Sequence, residues 1–201
     1  MNNGIIAAIV IGVVVIGGIM IASSNNPDND GAMMNDTSKN EVVKNNDNMK
    51  QEGVMVGGAL MTPNLDIVAN AMNANNVTTV VAAVKAAGLV ETLQGAGPFT
   101  VFAPTNAAFN KLPAGTVDTL LKPENKAMLA NILTYHVVAG RYTAADLKDG
   151  QMLKTVQGES LKITKKDGKI MVNGSATVET ADVISRNGVT FVIDTVLMPA
   201  K

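Results

Sequence analysis

The chain has no cysteine and no tryptophan, a single histidine (His136), and only 3% aromatic residues. Without cysteine there is no disulfide, no thiol nucleophile and no thiolate metal site, and no N-terminal cysteine to carry lipid. One imidazole builds neither a histidine-rich metal centre nor a two-histidine acid/base pair. Charge of one sign is lacking too. Sixteen Lys and Arg stand against 17 Asp and Glu, a net charge of −1 with no basic footprint for nucleic acid. No G-x-S-x-G, Walker A or H-E-x-x-H motif is present. No metal and no cofactor is expected. What is abundant is apolar: 47% of 201 residues are hydrophobic, and they fall into three unlike segments.

Gly4 to Ala22 reads GIIAAIVIGVVVIGGIMIA, a run free of charge. As a helix it spans about 28 Å, roughly one hydrocarbon core. Residues 1–24 are therefore expected to be a transmembrane anchor or a signal peptide. The run exceeds an ordinary signal core and lacks a basic flank, yet Ala22-Ser23-Ser24 is an acceptable cleavage site. Residues 25–58 follow, with eight Asn between Asn25 and Asn48 and no sustained period. That composition buries too little surface to offset chain entropy and predicts a disordered linker. Residues 60–199 have the length of a single domain, and all four Phe and both Tyr lie there.

Within this domain helical periodicity comes first. Leu65, Val68, Ala69 and Met72, then Val77, Val80, Val81 and Val84, recur at helical spacing, and Gly88 follows as a helix stop. Phe99 to Ala103 reads as a buried strand. Asn106 is placed to cap a short helix through Phe109, and Thr116 another. Pro123-Glu124 opens a longer one bearing Met128, Leu129, Ile132 and Leu133. Beyond His136 the period becomes 2, with Leu161 and Ile163 alternating with Lys162 and Thr164. Val178 to Ile184 and Val189 to Val196 are further strands around an Arg186-Asn187-Gly188 turn. Helices followed by mostly antiparallel strands make an α+β domain.

Three stretches in order carry a family resemblance: Thr100-Val-Phe-Ala-Pro-Thr-Asn106 with Ala108-Phe109, Leu133-Thr-Tyr-His-Val-Val138, and Asn187-Gly-Val-Thr-Phe-Val-Ile-Asp-Thr-Val-Leu-Met-Pro199. Together they resemble the fasciclin-like domain family, over about Leu60 to Pro199. The resemblance implies a wedge-shaped β-sandwich with helices packed on one side. It also implies a secreted or membrane-anchored module of adhesion or surface contact, without general catalytic activity. Its signature residues here are Thr100, Phe102, Pro104, Thr105, Asn106, Phe109, Tyr135, His136, Asn187, Gly188 and Asp194, expected to be structural. In some animal members an Asp-Ile-containing sequence resembles a receptor-binding motif. Asp182 and Val183 stand at the matching place, with Val183 where those members have Ile, and are the candidate adhesion contact.

Each candidate also has a plainer reading. A lone His136 between Tyr135 and Val137 is expected to be a buried imidazole bonded across the core, rather than a general base. Thr105 and Asn106 beside Pro104 suit capping, and Phe99, Phe102 and Phe109 suit a core. The expected function is a non-enzymatic extracytoplasmic surface module contacting proteins or glycans, held to the membrane through Gly4 to Ala22 if that run is not cleaved. The alternative is a carrier of a small apolar ligand, a lipid or pigment.

Overall fold

The computed structural model describes residues 53–199. The membrane-length run and the linker through residue 52 lie outside the described residues. Among the described residues no helix is long and apolar enough to cross a membrane.

The folded chain begins earlier than its composition suggests. Val54–Val56 (β1) and Ala59–Met61 (β2) pair across Gly57-Gly58, both at positive φ. A Cβ on Gly57 would collide with the Asn76 side chain, so a glycine is required there. Val56 and Met61 are buried in one cluster with helix residues such as Val80 and Ile132. Residues 54–58 thus belong to the domain, which corrects the linker boundary. Strands of three residues are too short to show a period.

Ile67–Asn73 (α1) starts after Asp66, whose Oδ1 accepts the Ala69 N–H at 2.8 Å. Its buried residues are Ile67, Val68 and Asn70, whereas Leu65 and Met72 are exposed. The apolar spacing misled because Leu65 precedes the cap and a polar residue holds an inward position. Asn70 Nδ2 donates to Thr62 O and Ser185 Oγ, and its Oδ1 accepts from Thr62 N–H. Thr78–Ala87 (α2) ends as expected at Gly88, φ 73°, and Val90–Gln94 (α3) adds a turn that the sequence did not suggest. After Phe99–Pro104 (β3) come Asn106–Asn110 (α4), Thr116–Leu120 (α5), and a 3-10 turn at Pro123–Asn125 leading into Lys126–Tyr135 (α6). Leu129, Ile132 and Leu133 of α6 are buried, while Met128 faces out.

The remaining strands are Val137–Ala139 (β4), Met152–Lys154 (β5), Ser160–Lys166 (β6), Lys169–Val172 (β7), Ala176–Ser185 (β8) and Gly188–Ile193 (β9). They form one seven-stranded sheet with β3, in the order β4-β3-β9-β8-β7-β6-β5. Every pairing in it is antiparallel except β3 with β9. A bridge between Val138 and Thr155 joins the two ends. The expected two-sheet sandwich is therefore a single sheet curled into a barrel-like wall. Two register shifts in β8, at Val178/Thr180 and Thr180/Val183, are bulges of the kind that bend and twist a strand enough to curl a sheet.

Two cores follow from this curl. Phe102, Leu161, Ile163, Val172, Val189, Phe191 and Ile193 fill one side of the sheet. Ala103, Val183 and Val192 pack on the other side against α2 and α6. All six residues of β9 are buried, which explains its nearly continuous apolar run. Phe102 and Phe191 are register partners with ring centroids 5.4 Å apart, and neither is exposed.

Candidate functional site

The signature residues tie distant segments of backbone together. His136 follows α6 directly and is 3% exposed. Its Nδ1 lies 2.9 Å from Ile132 O, and its Nε2 accepts the Leu197 N–H at 3.0 Å. The Leu197 donor requires a bare Nε2, so the single proton sits on Nδ1 and points at Ile132. Desolvation by burial pushes the imidazole down to about 4, against a smaller upward pull from the Ile132 carbonyl. The ring is neutral, with both nitrogens committed to main chain, which leaves no nitrogen for acid/base work.

Asn187 performs a similar task with an amide. Its Oδ1 accepts from Ile67 N–H at 3.0 Å, and its Nδ2 donates to Leu93 O at 2.7 Å and Gly95 O at 2.9 Å. One buried side chain thus joins α1, α3 and the β8–β9 turn. Gly188 next to it tolerates no side chain, because a Cβ there would strike the Phe99 carbonyl.

Thr105, not Asn106, caps α4, its Oγ1 accepting from Ala108 N–H at 3.2 Å. Asn106 reaches instead to α2. Its Oδ1 accepts from Thr79 N–H at 3.0 Å, and its Nδ2 donates to Asn75 O at 3.0 Å. The expected local cap is thus a cap supplied from another element. Thr100 Oγ1 donates to Gly140 O at 2.7 Å and accepts from Tyr142 N–H at 3.0 Å. Tyr135 Oη accepts from Asn173 Nδ2 at 2.9 Å. Pro104 ends β3 and, like Phe109, is buried.

Asp194 Oδ1 takes bonds from Thr177 N–H at 2.8 Å and Thr195 Oγ1 at 3.0 Å, and Lys111 Nζ approaches Oδ2 at 3.4 Å. Partial burial works to raise this carboxyl, but those bonds and the lysine charge outweigh it and hold it below the usual carboxylate range.

The candidate contact pair divides. Val183 is 3% exposed and packs in the core beneath the helices, so it presents nothing to a partner, which corrects that half of the expectation. Asp182 is partly exposed on the bulge of β8 with φ 55°, and its Oδ1 accepts the Ala144 N–H at 2.7 Å. It lines a cleft of about 320 Å³ together with Gly53, Val54, Met61, Pro63, Arg141 and Ile184. Arg141 and the β1–β2 hairpin were not suspected from the sequence. Gly57-Gly58 was the available hairpin signal, whereas nothing local marks Arg141.

Comparison with known proteins places this architecture. The fasciclin domain model matches residues 75–199. Protein sll1483 of Synechocystis sp. is 52% identical over 149 residues, covering 74% of this chain and 82% of that protein. The cell surface glycolipoprotein MPB83 of Mycobacterium bovis is 48% identical over 111 residues, 55% of this chain and 48% of its own. Transforming growth factor-beta-induced protein ig-h3 of Sus scrofa is 40% identical over 141 residues, 70% of this chain but only 20% of that larger protein. A solved FAS1 domain pair from the insect cell adhesion molecule fasciclin I superposes with a TM-score of 0.61 at 19% identity, which shows a shared fold. That match covers 73% of this chain, and the chain spans 58% of the pair. A family model over more than half of the chain, backed by relatives of this identity, gives one conclusion: the chain belongs to the fasciclin domain family.

Proposed function

We propose that the domain is a non-enzymatic surface module that makes contacts with proteins or glycans outside the cytoplasm. The observation that carries this reading is family membership together with relatives described as a cell surface glycolipoprotein and a cell adhesion molecule. The geometry agrees with it. The one imidazole is spent on two main-chain bonds, and the signature residues hold the fold together. Exposed charge of both signs lines the cleft that Asp182 and Arg141 share. The membrane-length run Gly4 to Ala22 would keep such a module at its surface.

The apolar-carrier alternative is weaker. The fully apolar cavity between α1, α2, α3 and the sheet, lined by residues such as Val68, Val84 and Leu93, holds about 40 Å³. A cavity that takes up benzene is about 150 Å³, several times larger.

Beads coated with the full chain test the proposal. They are expected to bind cell surfaces or matrix preparations above an inert coated control. Asp182→Asn, which keeps an acceptor for Ala144 N–H but removes the charge, should reduce that binding without shifting Tm. Binding no greater than the control would refute the reading.

A further inference from the structure

Strands β5, β6 and β7 cover the core with Leu153, Leu161, Ile163 and Val172. Strand alternation then turns Lys154, Lys162, Lys166 and Lys169 to the opposite face, where all four are exposed. The register lines them up. Lys154 stands opposite Ser160, Lys162 opposite Met152, and Lys166 directly opposite Lys169. Along β6 the row runs from the level of Ser160 to Lys166, about 20 Å at roughly 3.3 Å per residue.

The charge of the domain is concentrated here. Residues 148–172 hold six of the twelve basic residues between 53 and 199 but only three of the eleven acids, so the rest of the domain has the opposite balance. The ion pairs Lys111–Asp194 and Arg186–Asp66 both lie off this row. Like charges directly across a strand pair cost stability, and Lys166 and Lys169 stand directly opposite each other.

We propose that this lysine row binds a linear polyanionic glycan, one bearing sulfate or carboxylate groups along its length. The proposal rests on the surface-module reading and names a partner for it. A compact anion needs donors that converge on a point, whereas these ammonium groups lie in a line. Single-stranded nucleic acid is held by aromatic stacking platforms, and residues 148–172 contain no aromatic. A membrane surface takes aromatic or leucine anchors among its cations, and the outward positions of β5, β6 and β7 offer neither. Sulfates and carboxylates need only ammonium and hydroxyl groups, and Ser160 and Thr164 share the outward parity of Lys162 and Lys166.

The test uses the full chain on immobilised dextran sulfate, with plain dextran as the control, across a salt series. At net −1 the chain cannot be retained by overall charge. Retention at low salt, lost as salt rises, is expected. Replacing Lys162, Lys166 and Lys169 together by Gln should weaken binding about tenfold or more and lower the salt slope by about three. The charge-matched variant Lys85→Gln, Lys122→Gln, Lys126→Gln should change it less than about twofold, since those lysines lie off the row. Melting curves should show both variants folded. Equal weakening in the two variants would overturn the site, as would tighter binding to phosphatidylglycerol vesicles or to oligo-dT than to dextran sulfate. Cell-surface binding by the unmodified chain without retention on dextran sulfate would overturn the glycan site and leave the surface-module reading standing. Retention on dextran sulfate without cell-surface binding would do the reverse.

Discussion

Acidifying the full chain from pH 7 to pH 4 should remove about 3 kcal/mol of stability through His136 alone. The folded imidazole is pushed down to about 4 from an ordinary 6.5, because burial penalises its charged form. A second proton at Nε2 would also face the Leu197 N–H. The folded state thus binds this proton more weakly than the unfolded chain. Stability is whole above pH 6.5, falls as pH drops through 6.5 toward 4, and levels off below the folded value. A gap of this size corresponds to about 3 kcal/mol in total, of which about 2 is gone by pH 5. Exposure does not dilute the figure, because the ring is out of solvent. The assay is urea unfolding of the full chain and of His136→Gln at several pH values. Gln lacks a titrating ring, so the variant starts about 1–3 kcal/mol lower at pH 7 and loses less on acidification. Asp194 and Asp146, both held low in the folded state, lose their contributions as pH falls through their folded values. They do so equally in both proteins and cancel from the difference. The two stabilities should converge between about pH 5.5 and pH 4, at the lower end for the larger starting gap, and parallel curves down to pH 4.5 would refute the assignment.

Other perturbations follow from the same geometry. Asn187→Ala strands one N–H and two carbonyls and should lower stability by about 3 kcal/mol in chemical denaturation; a loss under 1 kcal/mol would mean that water replaces the amide. Asn106→Ala removes the cap on α2 and should cost about 1 kcal/mol, read as a lower urea midpoint at unchanged slope. Dilute peroxide followed by peptide mapping should oxidise Met55, Met72, Met128, Met152 and Met198, each at least 49% exposed, well ahead of Met61 at 2%. Equal rates at Met61 would show that the β1–β2 hairpin opens.

What the sequence reveals depends on how local the cause is. The Asn187-Gly188 turn, the Gly88 helix stop and the Leu161/Ile163 alternation are local and appear where expected. Asn106 was visible as a capping residue, but the helix it caps begins many residues earlier, so its target could not be read. Asp182 and Val183 look equivalent in sequence because both faces of β8 meet something. The bulge sends one to a cleft and the other under the helices. The curl of the sheet rests on those same bulges, which leave no mark in a period-2 pattern. Arg141 reaches the Asp182 cleft through long-range packing alone.

The parallel pairing of β3 with β9 has a consequence for how the domain is made. These neighbouring strands are far apart in sequence, and the long segment between them includes three helices and five other strands. On the ribosome, β1 through α6 emerge before β9, with Phe102 waiting for Phe191 and His136 for the Leu197 amide. The sheet cannot close until β9 has been synthesised. Closure of the sheet is therefore late and slowed by the entropy of closing so long a loop, and a chain stopped short of β9 leaves β3 paired on one side only, with β4.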